Sequence, residues 1–357
     1  MPNSYSIAGF QGDNSFFDLT KSSDEASYCA AEVQGGRPSQ EDAILIAALN
    51  IGSPADYFKE SYLEMQKVVK DTSGTTAAMY YLDPDDQTIT TANLGDSRVY
   101  LTISRPSVDG VVQYVTILLT QDHDLKLKRV KNHVENGGTI SERGRVLSDE
   151  PNSNRSLNLG GVIGDLHYHS LLRSPDIATF KIADLLTSVG VCEENFKNCE
   201  FTITNACDGL TNHSDDVNYE YWVNFDENDS QKNTIEKTIN LTAESLSNVI
   251  RKGHEVCKSP NLGISGQLIK WAEERDACLN KGSDNISIST LSFGWSLFHG
   301  EKKAGTLGAI FDGHGGNRAS LGCLKHMKQK VQKSIKTPPG SPRNNYCAGL
   351  TEGCFLQ

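Results

Sequence analysis

The string Leu307-Gly-Ala-Ile-Phe-Asp-Gly-His-Gly-Gly316 constrains this chain more than any other stretch. The small and apolar run from Leu307 to Phe311 reads as a buried strand. It delivers one carboxylate, Asp312, and one imidazole, His314, to a turn with three glycines, where backbone can approach a ligand closely. The segment lies near the C-terminus, far along the chain from the other acidic clusters it would have to join.

At 357 residues the chain can bury one large core or two small ones. Hydrophobic residues at 37% and charged residues at 22% describe an ordinary globular protein. A net charge of −11 with no long basic run argues against nucleic acid and anionic membrane as partners. Nine cysteines without a Cys-x-x-Cys pair, and no N-terminal signal peptide, point to reduced thiols in a cytoplasmic compartment and away from zinc. A secretion route that needs no signal peptide would leave no mark of this kind. No apolar run approaches the roughly 20 residues of a membrane helix.

Residues 1–27 form an N-terminal extension with one short apolar run. Strands are expected at Tyr28–Val33, Ala43–Ala48, Thr76–Leu82, Thr88–Asn93, Val99–Ile103, Val111–Leu119, Phe201–Ala206 and Asn285–Phe293. Pro54 opens a helix with Ser53 as its N-cap and Tyr57, Tyr62, Met65, Val68 and Val69 on its apolar face. Further helices are expected at 125–135, 242–256, 265–277 and 317–335, with an acidic surface loop at 211–235. The tail from 337 onward, rich in Pro and Gly, is expected to be flexible. The fold class is α+β: stacked antiparallel sheets flanked by pairs of helices, in one domain covering residues 1–336.

Glu41-Asp42, Asp208-Gly209, Asp284-Asn285 and Asp312-Gly313 share one feature, and Asp96 joins them: each lies at the end of an expected strand or in the turn beside it. Singly, each acid is better explained as a turn or cap residue. Jointly, acids at strand ends can converge on one rim of a sheet. There they repel one another unless something positive sits between them. Oxygen-only ligands favour magnesium or manganese, and two such ions would activate a water and clamp a phosphoryl group.

At these residues the chain resembles the metal-dependent serine/threonine protein phosphatases of the PPM family, the type 2C phosphatases. The resemblance rests on Gly36-Arg37-x-x-x-Glu41-Asp42, Ser73-Gly74-Thr75-Thr76-Ala77, Asn93-Leu94-Gly95-Asp96-Ser97-Arg98, Leu119-Thr120-x-Asp122-His123, Leu157 through Gly164-Asp165, Pro175-Asp176, Asp208-Gly209, Asp284-Asn285 and Phe311-Asp312-Gly313-His314-Gly315-Gly316. It implies a β-sandwich and hydrolysis of phosphoserine and phosphothreonine in protein substrates through a water bridging two Mn2+ or Mg2+ ions. Asp312 would bridge the ions, with Asp208 and Asp284 completing one site. Glu41 and the Gly313 carbonyl would serve the other, and Asp42 would support that shell directly or through water. Arg37 would grip the substrate phosphate and His314 would protonate the departing oxygen. Asp96 would help hold a third, weaker ion, against the alternative of a turn residue paired with Arg98. Asp122 and His123 read as a loop-fixing pair. Asn285 and Asp165 receive no role.

The order of segments departs from the family. There, the Asp-Gly-His-Gly-Gly strand and its helix directly follow the Arg-x-x-x-Glu-Asp strand; here that unit comes after Asp284-Asn285. The change is a transposition, which a circular permutation cannot produce. It predicts that strand 306–311 pairs beside strand 43–48, in a monomer or, less favourably, in a swapped dimer. Asn212 stands where the family usually carries an aspartate, which bears on the third ion. The runner-up function is a pseudophosphatase acting as a protein-binding module. Retention of every core acid favours the enzyme.

Overall fold

The computed structural model describes residues 7–10, 21–22, 26–70, 72–106, 111–123, 134–141, 144–151, 153–211, 250 and 284–336. The expected acidic loop 211–235 (beyond its first residue), the body of helix 242–256, helix 265–277, the tail 337–357 and all but the last two residues of helix 125–135 lie outside these.

Two six-stranded antiparallel sheets stack face to face. The first has the spatial order β1 (Ile7–Phe10), β4 (Ala43–Leu49), β16 (Gly305–Phe311), β6 (Ala77–Asp83), β7 (Thr88–Leu94) and β13 (Asp176–Lys181). The second runs β2 (Lys21–Ser22), β3 (Ala26–Val33), β15 (Ile286–Gly294), β14 (Glu200–Ala206), β8 (Arg98–Pro106) and β9 (Val112–Leu118). A small three-stranded ribbon joins β12 (Ile163–Gly164), β5 (Gly74–Thr75) and β17 (Gly313–His314), and β10 (Val146–Leu147) pairs with β11 (Ser156–Leu157).

Side-chain alternation explains the layering. On β4, Leu45, Ala47 and Leu49 join Phe58, Tyr62, Met65, Ala319, Cys323 and Met327 in an outer core between the first sheet and two helices, α1 (Pro54–Val68) and the C-terminal helix Arg318–Lys336. Ile44 and Ile46, on the opposite face of the same strand, pack with Ala30, Cys207 and Ile310 between the sheets. A strand buried on both faces needs a continuous apolar run, which is what residues 43–49 supply.

β16 lies between β4 and β6, with Gly305 opposite Leu49 and Phe311 opposite Ala43. That is the pairing beside strand 43–48 expected from the sequence. The chain reaches this slot from Gly294 at the end of β15 through a 3-10 turn, Trp295–Phe298.

Details of α1 differ from expectation. Ser53 occupies the N-cap position, but its hydroxyl donates to Asp56 Oδ2 at 2.7 Å and caps no backbone N–H. Phe58 is fully buried while Val68 is 54% exposed. Tyr62 and Met65 set the buried stripe, and Phe58, one turn before Tyr62, falls on it. Val68 has rotated past it in the last turn.

Candidate active site

Both sheets open at one end of the sandwich, and the acids collect there. Asp208 follows β14, Asp284 precedes β15, Asp312 follows β16 and Asp42 precedes β4. The Asp208 amide donates to Asp312 Oδ2 at 3.4 Å, and the Gly313 amide donates to Asp42 Oδ1 at 3.4 Å. Arg37, on the exposed turn before β4, sets Nη2 2.5 Å from Asp284 Oδ2. Glu41 and Asp208 also lie close enough to Arg37 to favour its cationic form, behind the larger effect of the Asp284 hydrogen bond. Four segments separated by up to some 270 positions thus share one rim (Asp42 and Gly313 are 271 apart).

The electrostatics are those of carboxylates crowded together out of water. Burial, seconded by the charges of Asp208 and Asp284, pushes the Asp42 carboxyl up to about 7, against the opposing polarity of nearby Ser287 and Cys207. Burial and then Asp208, Asp42 and Asp96 hold Asp312 well above the carboxylate range. Asp96 is raised in the same sense by burial, then by Asp208 and Asp122. Carboxylates in such proximity cannot all ionise by themselves. Among the described residues, Asp42 Oδ2 and Asp96 Oδ1 are buried with no hydrogen-bond partner, a condition that costs free energy unless something else binds them. The donor set is oxygen-rich, and it fits hard divalent ions.

One sulfur intrudes. The Cys207 thiol can reach a common point with carboxylate oxygens of Asp208 and Asp312. That thiol is already engaged: it donates to the Asn285 carbonyl at 3.4 Å and accepts from the Ser287 amide at 3.0 Å. Burial, then the charges of Asp42, Asp312 and Asp208, push it far above its ordinary value. It is a neutral packing group under the acids.

Local sequence explains the close approach. A Cβ on Gly313 would overlap the Glu41 carbonyl oxygen, so only glycine lets that turn close against the residue before Asp42. The Asp312 carbonyl accepts from the Thr76 amide and the Thr75 hydroxyl, both at 2.9 Å, which pins the turn to β5 and its flank.

His314 is drawn toward a partner the sequence reading left without a role. Its Nε2 bonds Asp165 Oδ2, a buried carboxylate on a left-handed residue with φ of 47°. A non-glycine residue held there is strained, and strain of this kind clusters at functional sites. A Cβ at Gly74 would overlap both members of the pair. The available signal was the Gly164-Asp165 dipeptide itself, since Gly164, at φ of 82°, makes the turn that aims Asp165.

Asp96 is the remaining expected site residue. The alternative, a turn acid paired with Arg98, is weakened by geometry: Arg98 forks onto Asp122, with Nε–Oδ1 at 2.9 Å and Nη2–Oδ2 at 2.5 Å. Next to it, buried His123 accepts from the Gly95 amide through Nδ1 at 3.3 Å and meets Asp176 Oδ2 through Nε2 at 2.9 Å. Asp122 and His123 therefore hold the 93–98 loop from outside it. Asn212, Asp215 and Asp216 lie outside the described residues.

Comparison with known proteins agrees. The solved structure of a serine-threonine phosphatase 2C from Toxoplasma gondii superposes with a TM-score of 0.51 at 14% identity, covering 82% of this chain and 100% of that one; at this identity the likeness concerns the fold. A search of curated proteins returns no match. The family model "Protein phosphatase 2C" matches residues 32–240, over half the chain and short of Asp284, Asp312 and His314. The chain belongs to the protein phosphatase 2C family.

Proposed function

We propose that this protein is an active metal-dependent phosphatase that hydrolyses phosphoserine and phosphothreonine in protein substrates. The observation that carries the reading is the junction of Asp42, Asp208, Asp284 and Asp312, from four separate segments, with one buried oxygen, Asp42 Oδ2, that no donor among the described residues satisfies. Asp312, Asp208, Asp284, Glu41 and the Gly313 carbonyl would hold two Mn2+ or Mg2+ ions, Asp42 would back them, and Asp96 would serve a third. When bound, such ions make water a nucleophile at neutral pH and offset the charge of a phosphoryl group.

The chain's own residues supply the rest. Arg37 is half exposed at the mouth of the rim, and its planar guanidinium matches two phosphate oxygens. His314, on the glycine turn, gives its proton to the departing serine or threonine oxygen. Asp165 touches no reacting atom in this reading; it is a positioning residue that holds the imidazole through Nε2.

In this reading the unit 306–335 is a transposed segment of the family fold. The sheet order supports it: β16 (Gly305–Phe311) joins β4 (Ala43–Leu49) to β6 (Ala77–Asp83) although both lie far upstream of it in sequence. A sheet requires neighbours, whichever loop delivers them.

The test is hydrolysis of p-nitrophenyl phosphate and of a phosphothreonine peptide with added manganese. Turnover that needs the ion, stops with a chelator and is lost in Asp312→Asn is expected. A folded protein that binds manganese and turns over neither substrate would instead indicate a binding module.

A further inference from the structure

We infer that Asn285 is a positioning residue for this site: its carboxamide closes the 34–41 turn and so aims Arg37. The inference rests on the phosphatase reading above and assigns a duty that reading leaves open.

The turn that carries Arg37 has little packing to hold it. Residues 35–38 are exposed, and among them only the Arg37 side chain meets a charged partner in the described site. Position must come from hydrogen bonds, and Asn285 makes most of those that anchor the turn. Its Nδ2 donates to the carbonyls of Gln34, at 2.7 Å, and Ser39, at 3.1 Å, which bracket Arg37 on both sides. Its Oδ1 accepts from the Glu41 amide at 2.9 Å. The Asn285 side chain is buried, and both its donors and one acceptor site are used on this single loop. The Asn285 backbone amide donates to Asp284 Oδ1 at 2.8 Å, so the same residue also orients the acid that Arg37 meets. Within the turn, Gln34 Nε2 donates to the Arg37 carbonyl at 2.8 Å, and Gly35 takes φ of 62° to make the bend. Two carbonyls five residues apart, tied to one NH2 group, make a closed ring with Arg37 near its apex.

An arginine reaches its target through a long flexible stem, so its aim depends on where its backbone sits. Displacement of a binding group by about 1 Å can cost a hundredfold. Loss of the brace therefore falls chiefly on the grip on phosphate, since the Asn285 backbone amide still holds Asp284 and no side-chain bond of Asn285 reaches Asp312 or His314 among the described contacts, and this appears in KM.

The experiment is a double-mutant cycle on the full chain at saturating manganese, with p-nitrophenyl phosphate as substrate and inorganic phosphate as competitive inhibitor. Asn285→Ala is expected to raise KM and the phosphate inhibition constant about tenfold, the effect of two lost donors, with kcat within about twofold. Asn285→Ser, which keeps one donor, recovers part of the loss. In an Arg37→Ala background, Asn285→Ala adds nothing to KM, because the brace acts through Arg37. Additive losses in the cycle, or a fall in kcat with KM unmoved, overturn the inference. The serine variant keeps the cycle readable if the alanine variant unfolds. Wild-type protein without manganese-dependent turnover overturns the phosphatase reading and this role with it; a working enzyme in which Asn285→Ala behaves as wild type overturns this role alone.

Discussion

The two ends of the sandwich are made by the same strands and obey opposite rules. β14 carries Phe201 near its start and leads into Cys207 and Asp208; β15 runs the other way, from just after Asp284 and Asn285 to Phe293 near its end. Their antiparallel register sets Phe201 opposite Phe293, with stacked rings 5.1 Å apart, and leaves the acids together at the far end. At the aromatic end every large group is satisfied by its neighbours. Phe298 meets Phe201, Phe293 and Trp295 edge-on at centroid distances of 6.2, 5.7 and 5.2 Å, and Phe196 closes on Trp295 at 5.2 Å. At the acid end, Asp42 and Asp96 have buried oxygens without partners among the described residues, and burial, then the charges of Asp208, Asp42 and Asp96, raise the Asp312 carboxyl. One end stabilises the fold and the other is stabilised by it. The comparison predicts that mutations at the two ends separate activity from stability.

The largest effect should come from the acid end. Asp312→Asn removes the residue whose carboxylate meets Asp208, Asp42 and Asp96. We expect manganese-dependent turnover to fall by at least about a thousandfold, the scale of removing a principal electrostatic element of catalysis. The same variant should melt higher than wild type in a chelating buffer, because one of the mutually repelling acids is gone. A melting temperature below that of wild type in chelator would break the comparison, since it would make Asp312 a structural residue.

Next comes the aromatic end. Phe293→Ala deletes a nearly fully buried ring that contacts Phe201 and Phe298. Such truncations cost about 3–5 kcal/mol. Urea titration should show that loss, while kcat per folded molecule stays within about twofold of wild type. A kcat that collapses in protein shown to be folded would mean the two ends are coupled along β15, and the separation drawn above would fail.

The sequence made these two ends legible to different degrees. Strand-end acids and glycine turns carried their signal jointly, because each alone is an ordinary turn or cap residue, whereas several at strand ends can converge on one rim. The expected sheets and the convergence of Arg37, Asp42, Asp208, Asp284 and Asp312 followed from them. Asp165 and Asn285 were visible only as members of dipeptides. Their duties depend on partners at positions 314 and 34–41, which no spacing rule connects. The exposure of Val68 and the burial of Phe58 turned on the exact rotation of α1 against the C-terminal helix, a property of packing. The aromatic cluster was illegible for the same reason: Phe196, Phe201, Phe293, Trp295 and Phe298 come from three segments that meet only once β14 and β15 are in register.

The smallest predicted effect is a pH dependence confined to the acid end. The Asp42 carboxyl moves from an ordinary 3.8 to about 7 on folding, and Asp312 and Asp96 move in the same direction. Between those values the folded chain holds more protons than the unfolded chain, so stability falls as pH rises through that window, and the Asp42 contribution is fully lost above it. In chelating buffer the melting temperature should drop by a few degrees between pH 5 and pH 8, the scale set by about 1–2 kcal/mol in a chain of this size. Saturating magnesium binds the ionised acids and should reverse the slope, because each proton that leaves is replaced by attraction to the ion. Asp42→Asn should flatten the slope in chelator, while Phe293→Ala should lower the whole curve and leave its shape intact. If the chelator slope runs upward through this window, the acids are already satisfied by the protein, and the argument that this rim needs a cation loses its electrostatic basis.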